Sequence, residues 1–188
     1  MKLKDCANIR TGLILSRKLS EEEFNYTYNA INLTSVYDGF INKQTLDIFK
    51  TKEKLKKDYL TKKDDIVVRL TKPYTAILIT KEDENIVISS NFIKITCDKE
   101  KVLPEYLYWL LNTEKTKHKI FQNSTSNILD AITTNTYSNL TIKLVPLDKQ
   151  CIIGNLYLLS IKENKLLNQL QNEKLKLNNT IIRKINEE

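Results

Sequence analysis

Residues 148–186 read DKQCIIGNLYLLSIKENKLLNQLQNEKLKLNNTIIRKIN, a run with one glycine and no proline. Apolar residues recur at helical spacing and polar residues occupy the opposite face, which predicts one long amphipathic helix. The apolar stripe comprises Leu156, Leu159, Leu166, Leu167, Leu170, Leu177, Ile181 and Ile185. A helix of this length would extend for about 57 Å, more than one small domain can cover, so we expect the stripe to face another helix.

The stripe has an eleven-residue step, since Leu159, Leu170 and Ile181 are equally spaced. This step predicts a nearly straight or slightly right-handed pairing of helices. Glu163 and Lys174 interrupt the stripe, and buried charge is costly unless it is paired. These two residues therefore either lie at the edge of the stripe or meet each other across an antiparallel partner helix.

The 188 residues, 41% of them hydrophobic, predict one compact domain over residues 1–146 and a long helix over residues 147–188. Short β-branched runs separated by polar turns predict a mostly antiparallel sheet. The predicted strands are residues 3–12, 28–36, 65–70, 74–79, 85–89, 91–96 and 140–145. Helices are predicted at residues 104–112 and 114–122, and Asp148 is the expected N-cap of the long helix. The predicted fold class is α+β with a C-terminal coiled-coil helix.

The net charge of +7 indicates a polyanionic partner. Much of the excess is local, because Lys50–Lys72 carries nine basic and four acidic side chains around a predicted strand. Such a cluster is typical of a nucleic-acid footprint. A solvated lysine-rich helix or a mobile loop has the same composition, so charge alone leaves both interpretations open.

The three cysteines, Cys6, Cys97 and Cys151, are far apart and odd in number, which favours neither a disulfide framework nor a zinc site. We expect them to be buried in a reducing cytoplasm. The N-terminus has no signal-peptide core, and the most apolar window, residues 151–159, is too short to span a membrane. The sequence therefore predicts a cytoplasmic protein without membrane contact.

The sequence contains neither G-x-G-x-x-G nor G-x-x-x-x-G-K-[ST], so nucleotide binding is not predicted. The single histidine, His118, lies between two lysines, which favours a surface position over a catalytic one. The carboxylates that could hold a divalent ion are Asp64, Asp65, Glu82, Asp83 and Glu84. Their positions are explained more simply as residues of turns that flank strands, so no metal site is predicted.

Only four arginines, Arg10, Arg17, Arg69 and Arg183, occur among thirty basic residues. The planar guanidinium pairs bidentately with guanine, which lysine cannot do. Arg17 in a predicted loop and Arg69 near Lys72 are therefore candidate base or phosphate contacts. An ordinary surface ion pair is the alternative for each.

Three segments occur in order: the helix PEYLYWLLN at residues 104–112, the polar loop NSTSN at residues 123–127, and LTIKLVPLDKQCII at residues 140–153. This order resembles the DNA-specificity subunits of type I restriction-modification systems, in which an IPLPPLxEQxxI pattern precedes the conserved helix. The positions that match this frame are Ile142, Leu144, Pro146, Leu147, Gln150 and Ile153. Val145 replaces the first proline of the pattern, and Lys149 stands where an acid is common.

The resemblance implies one target-recognition domain and one conserved helix, where the usual family member has two of each. It implies a non-catalytic chain that holds no cofactor, because methyl transfer and S-adenosylmethionine belong to partner modification methyltransferase subunits. Double-stranded DNA is the expected ligand. We expect an antiparallel homodimer, joined through the apolar stripe, that reads a bipartite site. The candidate DNA contacts are Arg17, Lys18, Lys43, Arg69, Lys72, Tyr74, Ser124, Thr125 and Ser126.

Two other classes of function stay open at this point. One is a coiled-coil interaction or scaffold protein with an accessory β domain, in which the basic cluster has no binding role. The other is a small metal-dependent nuclease that uses Asp65 and Glu82.

Overall fold

The computed structural model describes residues 1–18, 24–37, 39–122 and 132–187. The chain comprises two compact units, Met1–Gly154 and Asn155–Glu188. The described strands are β1 (Ala7–Thr11), β2 (Tyr26–Ile31), β3 (Val36–Tyr37), β4 (Phe40–Ile41), β5 (Asp47–Thr51), β6 (Asp65–Arg69), β7 (Ala76–Leu78), β8 (Val87–Ile88) and β9 (Phe92–Cys97). The described α-helices are α1 (Pro104–Asn112), α2 (Glu114–Gln122), α3 (Thr134–Ser138) and α4 (Leu147–Glu187). The predicted α+β class with a long C-terminal helix is confirmed.

The strands form a four-stranded sheet in the order β1-β9-β6-β7, a three-stranded sheet in the order β5-β2-β8, and the hairpin β3-β4. All pairings between these strands are antiparallel except β2–β8, which is parallel. The mostly antiparallel arrangement is as predicted, but the strands are divided among separate sheets. The division matters for function, because the smaller sheet carries β5 and the basic loop that follows it.

Two clusters of buried side chains hold the sheets together. One comprises Ile31, Val67, Ile77, Ile79, Ile86, Ile88 and Phe92, and the other Leu13, Ala30, Phe49, Leu55 and Val87. Helix α1 packs against β7 and β6. At its C-terminal end the Asn112 amide donates to the carbonyl of Ala76 at 3.1 Å and accepts the Ala76 N–H at 3.2 Å. Asn112 thus satisfies backbone groups of β7 at the edge of its sheet.

The smaller sheet departs from the prediction at β2 and β5. Strand β2 ends at Ile31 instead of residue 36, because the Asn32 side-chain oxygen accepts the N–H groups of Thr34 at 3.0 Å and Ser35 at 2.7 Å and turns the chain. Strand β5 was not predicted, and the centre of the lysine-rich region was interpreted as a helix or a mobile loop. Strand β5 pairs antiparallel with β2, with Phe49 opposite Tyr28.

The predicted first and last strands are also corrected. Residues 3–5 form a short 3₁₀ helix, and β1 begins only at Ala7. Residues 140–145 form no strand. Their backbone meets the N-terminus through an isolated bridge, in which Leu3 N–H donates to the carbonyl of Leu140 at 2.9 Å. By contrast, α1 and α2 have the predicted bounds, and α3 was not predicted.

Helix α4 begins at Leu147, so the prediction that Asp148 is its N-cap is corrected. The Gln150 N–H donates to the carbonyl of Pro146 at 3.0 Å, so Leu147 opens the helix and Asp148 lies in its first turn instead of capping it. The Gln150 side chain is buried, 1% exposed. Its oxygen accepts the Leu103 N–H at 2.9 Å, and its amide donates to the carbonyls of Lys101 at 3.1 Å and Val145 at 2.8 Å. Gln150 therefore fastens the start of α4 to the segment that precedes α1.

Gly154 brings the same part of α4 close to α1. A Cβ atom at this position would lie 2.7 Å from the Cβ of Glu105 and 2.9 Å from the backbone nitrogen of Tyr106. These distances are shorter than van der Waals contact, so the absence of a side chain at Gly154 permits the close packing of the two helices.

Replacing Gln150 with leucine is expected to lower the free energy of unfolding by about 3 kcal/mol, because three backbone groups lose their partner at a buried site. Urea denaturation at fixed protein concentration measures the change. Gln169→Leu, the same replacement on the exposed part of α4, is the control and is expected to change stability by less than about 0.5 kcal/mol. Equal losses in the two variants would show that the Gln150 hydrogen bonds contribute nothing.

The unit Asn155–Glu188 consists of the continuation of α4. The eight side chains of the apolar stripe are 47% to 69% exposed. Within the four described ranges, no helix has the length and apolar content needed to cross a bilayer.

Candidate nucleic-acid interface

The loop that follows β5 presents lysine side chains to solvent. Lys52, Lys54 and Lys56 are exposed, whereas Leu55 is buried in the cluster that contains Phe49. The Leu55 N–H donates to the Tyr28 hydroxyl at 3.1 Å. Because the Leu55 side chain packs into the core, the lysines on either side of it point towards solvent.

A second segment, residues 13–18, brings further basic side chains to this loop. Leu13 is held in place by two backbone hydrogen bonds: its N–H donates to the carbonyl of Ile88 at 2.7 Å, and its carbonyl accepts the Ser90 N–H at 2.8 Å. At Gly12, an added Cβ would lie 2.1 Å from the carbonyl oxygen of Ser89, so only glycine allows the backbone at this position to lie so close to Ser89. After this contact a 3₁₀ helix, Leu15–Arg17, exposes the side chain of Arg17.

The two segments enclose a cleft of about 470 Å³. Its basic side chains are Arg17, Lys18, Lys52, Lys54 and Lys56, and we call this site the basic cleft. Among the described residues of its lining, Glu53 is the one acidic side chain; it lies 3.7 Å from Lys18 and is 84% exposed. Among the described lining residues, five cations stand against one carboxylate, a balance that favours a polyanionic ligand.

Exposed aromatic and apolar side chains lie on β2 and β5, and in the segment just before β2. Phe24 is 42% exposed and Tyr26 is 40% exposed, and Tyr26 pairs with Thr51 in the cleft wall. The Lys50 ammonium lies 4.1 Å from the centre of the Phe24 ring, a cation–π contact. Ile48 on β5 is 69% exposed. Basic groups next to aromatic faces are typical of surfaces that bind nucleic acids.

Comparison with known proteins agrees with this chemistry. Residues 1–187 match the model of the family described as Type I restriction modification DNA specificity domain. The chain belongs to this family. No curated protein gives a significant match to it.

Two solved structures share the fold of this specificity domain. One is the HsdS subunit from Thermoanaerobacter tengcongensis, and the other addresses complex assembly and conformational transition of the type I R-M system. Each superposes with a TM-score of 0.67 at 16% sequence identity, over 94% of this chain and 45% of the other. The specificity domain thus spans less than half the length of either relative. At this identity the likeness concerns the fold.

Of the residues predicted to contact DNA, the fold brings Arg17 and Lys18 together in the basic cleft. Lys43 lies elsewhere, where its ammonium donates to the carbonyl of Glu82 at 2.7 Å and lies 3.6 Å from Asp83. The sequence prediction did not single out Lys52, Lys54 or Lys56. Their only signal was the basic cluster Lys50–Lys72, since the contact with residues 13–18 is distant in sequence.

Among the described residues, Arg69, Lys72 and Tyr74 do not line the basic cleft of the specificity domain. Arg69 donates from Nε to the Thr71 hydroxyl at 2.8 Å, and the Lys72 ammonium lies 4.7 Å from the centre of the Phe121 ring. Tyr74 is buried, 4% exposed, and presents no surface to a ligand. The predicted contacts outside the described residues are Ser124, Thr125 and Ser126.

The nuclease interpretation depended on Asp65 and Glu82. Asp65 is 3% exposed; its carboxylate accepts the Thr96 hydroxyl at 2.6 Å and the Lys62 N–H at 3.0 Å, and lies 3.7 Å from the Lys94 ammonium. Glu82 is exposed in a 3₁₀ helix. In the described part of the chain, no cluster of three or more His, Cys, Asp or Glu residues is arranged to hold a metal ion. Asp65 thus has a structural role as the partner of a buried lysine.

The cysteines and the histidine of the specificity domain differ in exposure. Cys6 is buried as predicted, and burial raises its thiol pKa. Burial also raises the pKa of the half-buried Cys97 to about 12, so this thiol stays protonated at neutral pH. Cys151 is exposed on α4, contrary to the prediction. His118 is on the surface as predicted, with Nε2 at 2.8 Å from the side-chain nitrogen of Gln122.

Proposed function

We propose that this specificity domain recognises a particular sequence in double-stranded DNA through the basic cleft. The observation that carries the proposal is the convergence of five cationic side chains from two distant segments in a member of the DNA-specificity family. The lysines contact phosphates, which gives affinity without sequence preference. Among the described lining residues, Arg17 carries the one guanidinium, and its fork suits the edge of a guanine in the major groove.

The wider role follows from the family. The specificity domain directs modification methyltransferase subunits to the bound site in the cytoplasm. Those subunits carry S-adenosylmethionine and perform the chemistry, whereas this chain contributes recognition and no catalytic group. Two copies associate through the exposed apolar stripe into a two-fold dimer, so that two domains read a bipartite site with inverted half-sites.

Selection of bound duplexes from a random pool at about 150 mM salt tests the recognition role, because non-specific binding is weak at that salt concentration. The expected result is enrichment of one sequence. A scaffold protein would enrich none. Metal-dependent cutting of DNA by this chain alone would instead support a nuclease and contradict a non-catalytic role.

Replacing Arg17 with lysine tests the base contact. The charge is kept and the fork is lost, so discrimination at one base pair is expected to fall by about ten- to a hundredfold while affinity for unrelated DNA stays nearly constant. Competition binding with each base substituted in the selected site measures both quantities. Lys18→Arg, which also keeps the charge, is the matched control. Unchanged discrimination in Arg17→Lys would remove Arg17 from base recognition.

A further inference from the structure

Strands β2 and β5 form a two-stranded ribbon over part of their length. Strand β8 pairs with β2 only at Ala30 and Ile31, so among the described strands residues 26–29 pair with β5 alone. At the base of the ribbon, Ile31 belongs to one buried cluster and Ala30 and Phe49 belong to the other. Successive side chains of a strand point to opposite faces, so the core holds the base of the ribbon on both faces.

One face of the ribbon, which we call the ribbon face, consists of Thr27, Asn29, Ile48 and Lys50. In the strand register Asn29 lies directly opposite Ile48, and Thr27 lies directly opposite Lys50. Thr27 and Asn29 are exposed, and Ile48 is 69% exposed. Strand β5 is an edge strand in the described sheet, and edge strands are commonly protected by charged side chains. An isoleucine so exposed at this edge therefore suggests a contact surface.

The chemistry of the ribbon face suits the major groove of DNA. This groove is wide enough to admit a two-stranded β-ribbon. An A·T base pair presents there the N6 amino group and N7 of adenine, which an asparagine amide can pair with bidentately, and the methyl group of thymine, which favours an apolar contact. Side chains directly opposite each other on two strands have Cβ atoms about 5 Å apart. Asn29 and Ile48 are thus close enough to contact the two bases of one pair.

We propose that Asn29 and Ile48 together read one A·T base pair in the major groove. The Asn29 side-chain oxygen accepts a hydrogen bond from the adenine amino group, and its amide donates to N7. The Ile48 side chain covers the thymine methyl group. This readout rests on the sequence-specific recognition proposed above, and it adds two residues and one base pair to it.

Charge favours duplex DNA as the occupant of the ribbon face. The ribbon face includes one cation, Lys50, and no acidic residue. The residue after Lys50 is Thr51, which lines the basic cleft, and the lysines of the cleft follow it in the same loop. The chain thus passes from the ribbon face directly into the loop that is proposed to bind phosphates, which places both contacts on one polyanionic ligand.

Replacing single thymines of the selected site with uracil tests the methyl contact in the unaltered chain. Uracil lacks the methyl group but keeps the hydrogen-bonding groups of thymine. At one thymine of the recognised sequence, the replacement is expected to lower affinity about fourfold, the effect of exposing one buried methyl group. Uracil at the other thymines is the internal control and is expected to change affinity by less than about twofold. Competition binding measures each duplex.

Two variants test whether these residues make the contacts. Ile48→Ser is expected to bind the thymine and uracil forms of the sensitive duplex equally, because the apolar partner of the methyl group is gone. Asn29→Ala is expected to lower discrimination against other base pairs at the same position by about tenfold. Asn8→Ala, at an exposed position of β1 outside the ribbon, is the matched control and is expected to leave discrimination unchanged.

The possible results distinguish this readout from the recognition role on which it rests. A selected site without an A·T pair, or uracil without effect at every thymine, would overturn the readout and leave sequence-specific binding in place. A uracil effect that persists in Ile48→Ser would do the same. Selection that enriches no sequence would overturn both the recognition role and the readout.

Discussion

Replacing Lys52, Lys54 and Lys56 together with glutamine is expected to lower affinity for duplex DNA by about a hundredfold. Each lysine that pairs with a phosphate contributes about 1 kcal/mol or more. The slope of the logarithm of affinity against the logarithm of salt concentration should fall by about three, because three fewer counterions are released. Fluorescence anisotropy at several salt concentrations measures both quantities.

The matched control removes the same number of charges elsewhere. Lys4, Lys99 and Lys101 are exposed and lie outside the basic cleft; Lys99 pairs with Asp64 at 2.6 Å, and Lys101 with Asp98 at 3.0 Å. Glutamine at these three positions is expected to lower affinity by less than about fivefold, through the reduced net charge. If both triple variants lost affinity equally, bulk charge and not the basic cleft would explain DNA binding.

The parts of the fold that were predictable from sequence are those set by local patterns. Helix α1 has the predicted bounds because Pro104 suits a first turn and the apolar residues that follow have helical spacing. Strand β5 was missed although its inward residues, Phe49 and Thr51, alternate with Lys50. The charge of its surroundings indicated a solvent-exposed segment, and its pairing with β2 is a tertiary contact that composition does not encode.

The candidate site was predictable only in part for the same reason. Arg17 and Lys18 were singled out by residue type. The lysines that complete the cleft are positioned by Leu55, which enters the core, and by Gly12, which lets residues 13–18 approach the strand end. Tyr74 is an aromatic residue near Lys72, a residue type typical of DNA contacts. Its burial depends on packing against segments that are distant in sequence. Residue type thus indicated the chemistry, and nonlocal packing decided which side chains share a surface.

Inserting four residues between Asn168 and Gln169 is expected to widen the selected bipartite site by one or two base pairs without changing the bases read. Four residues are about one helical turn, so the stripe continues on one face on both sides of the insertion, and the added length is about 6 Å. Duplex DNA rises 3.4 Å per base pair. Selection from a pool with random spacer lengths measures the spacing and the bases together.

A two-residue insertion at the same point distinguishes a spacing effect from a general effect of altered helix length. Two residues rotate the following half of α4 by about 200°, which removes Leu170 and Ile181 from the face that carries Leu156 and Leu167. This variant is expected to lose the dimer and to select single half-sites, whereas the four-residue variant keeps the dimer. If the four-residue variant remained dimeric and selected the original spacing, the length of α4 would not set the distance between the half-sites. The domains would then be positioned by contacts outside the helix pair.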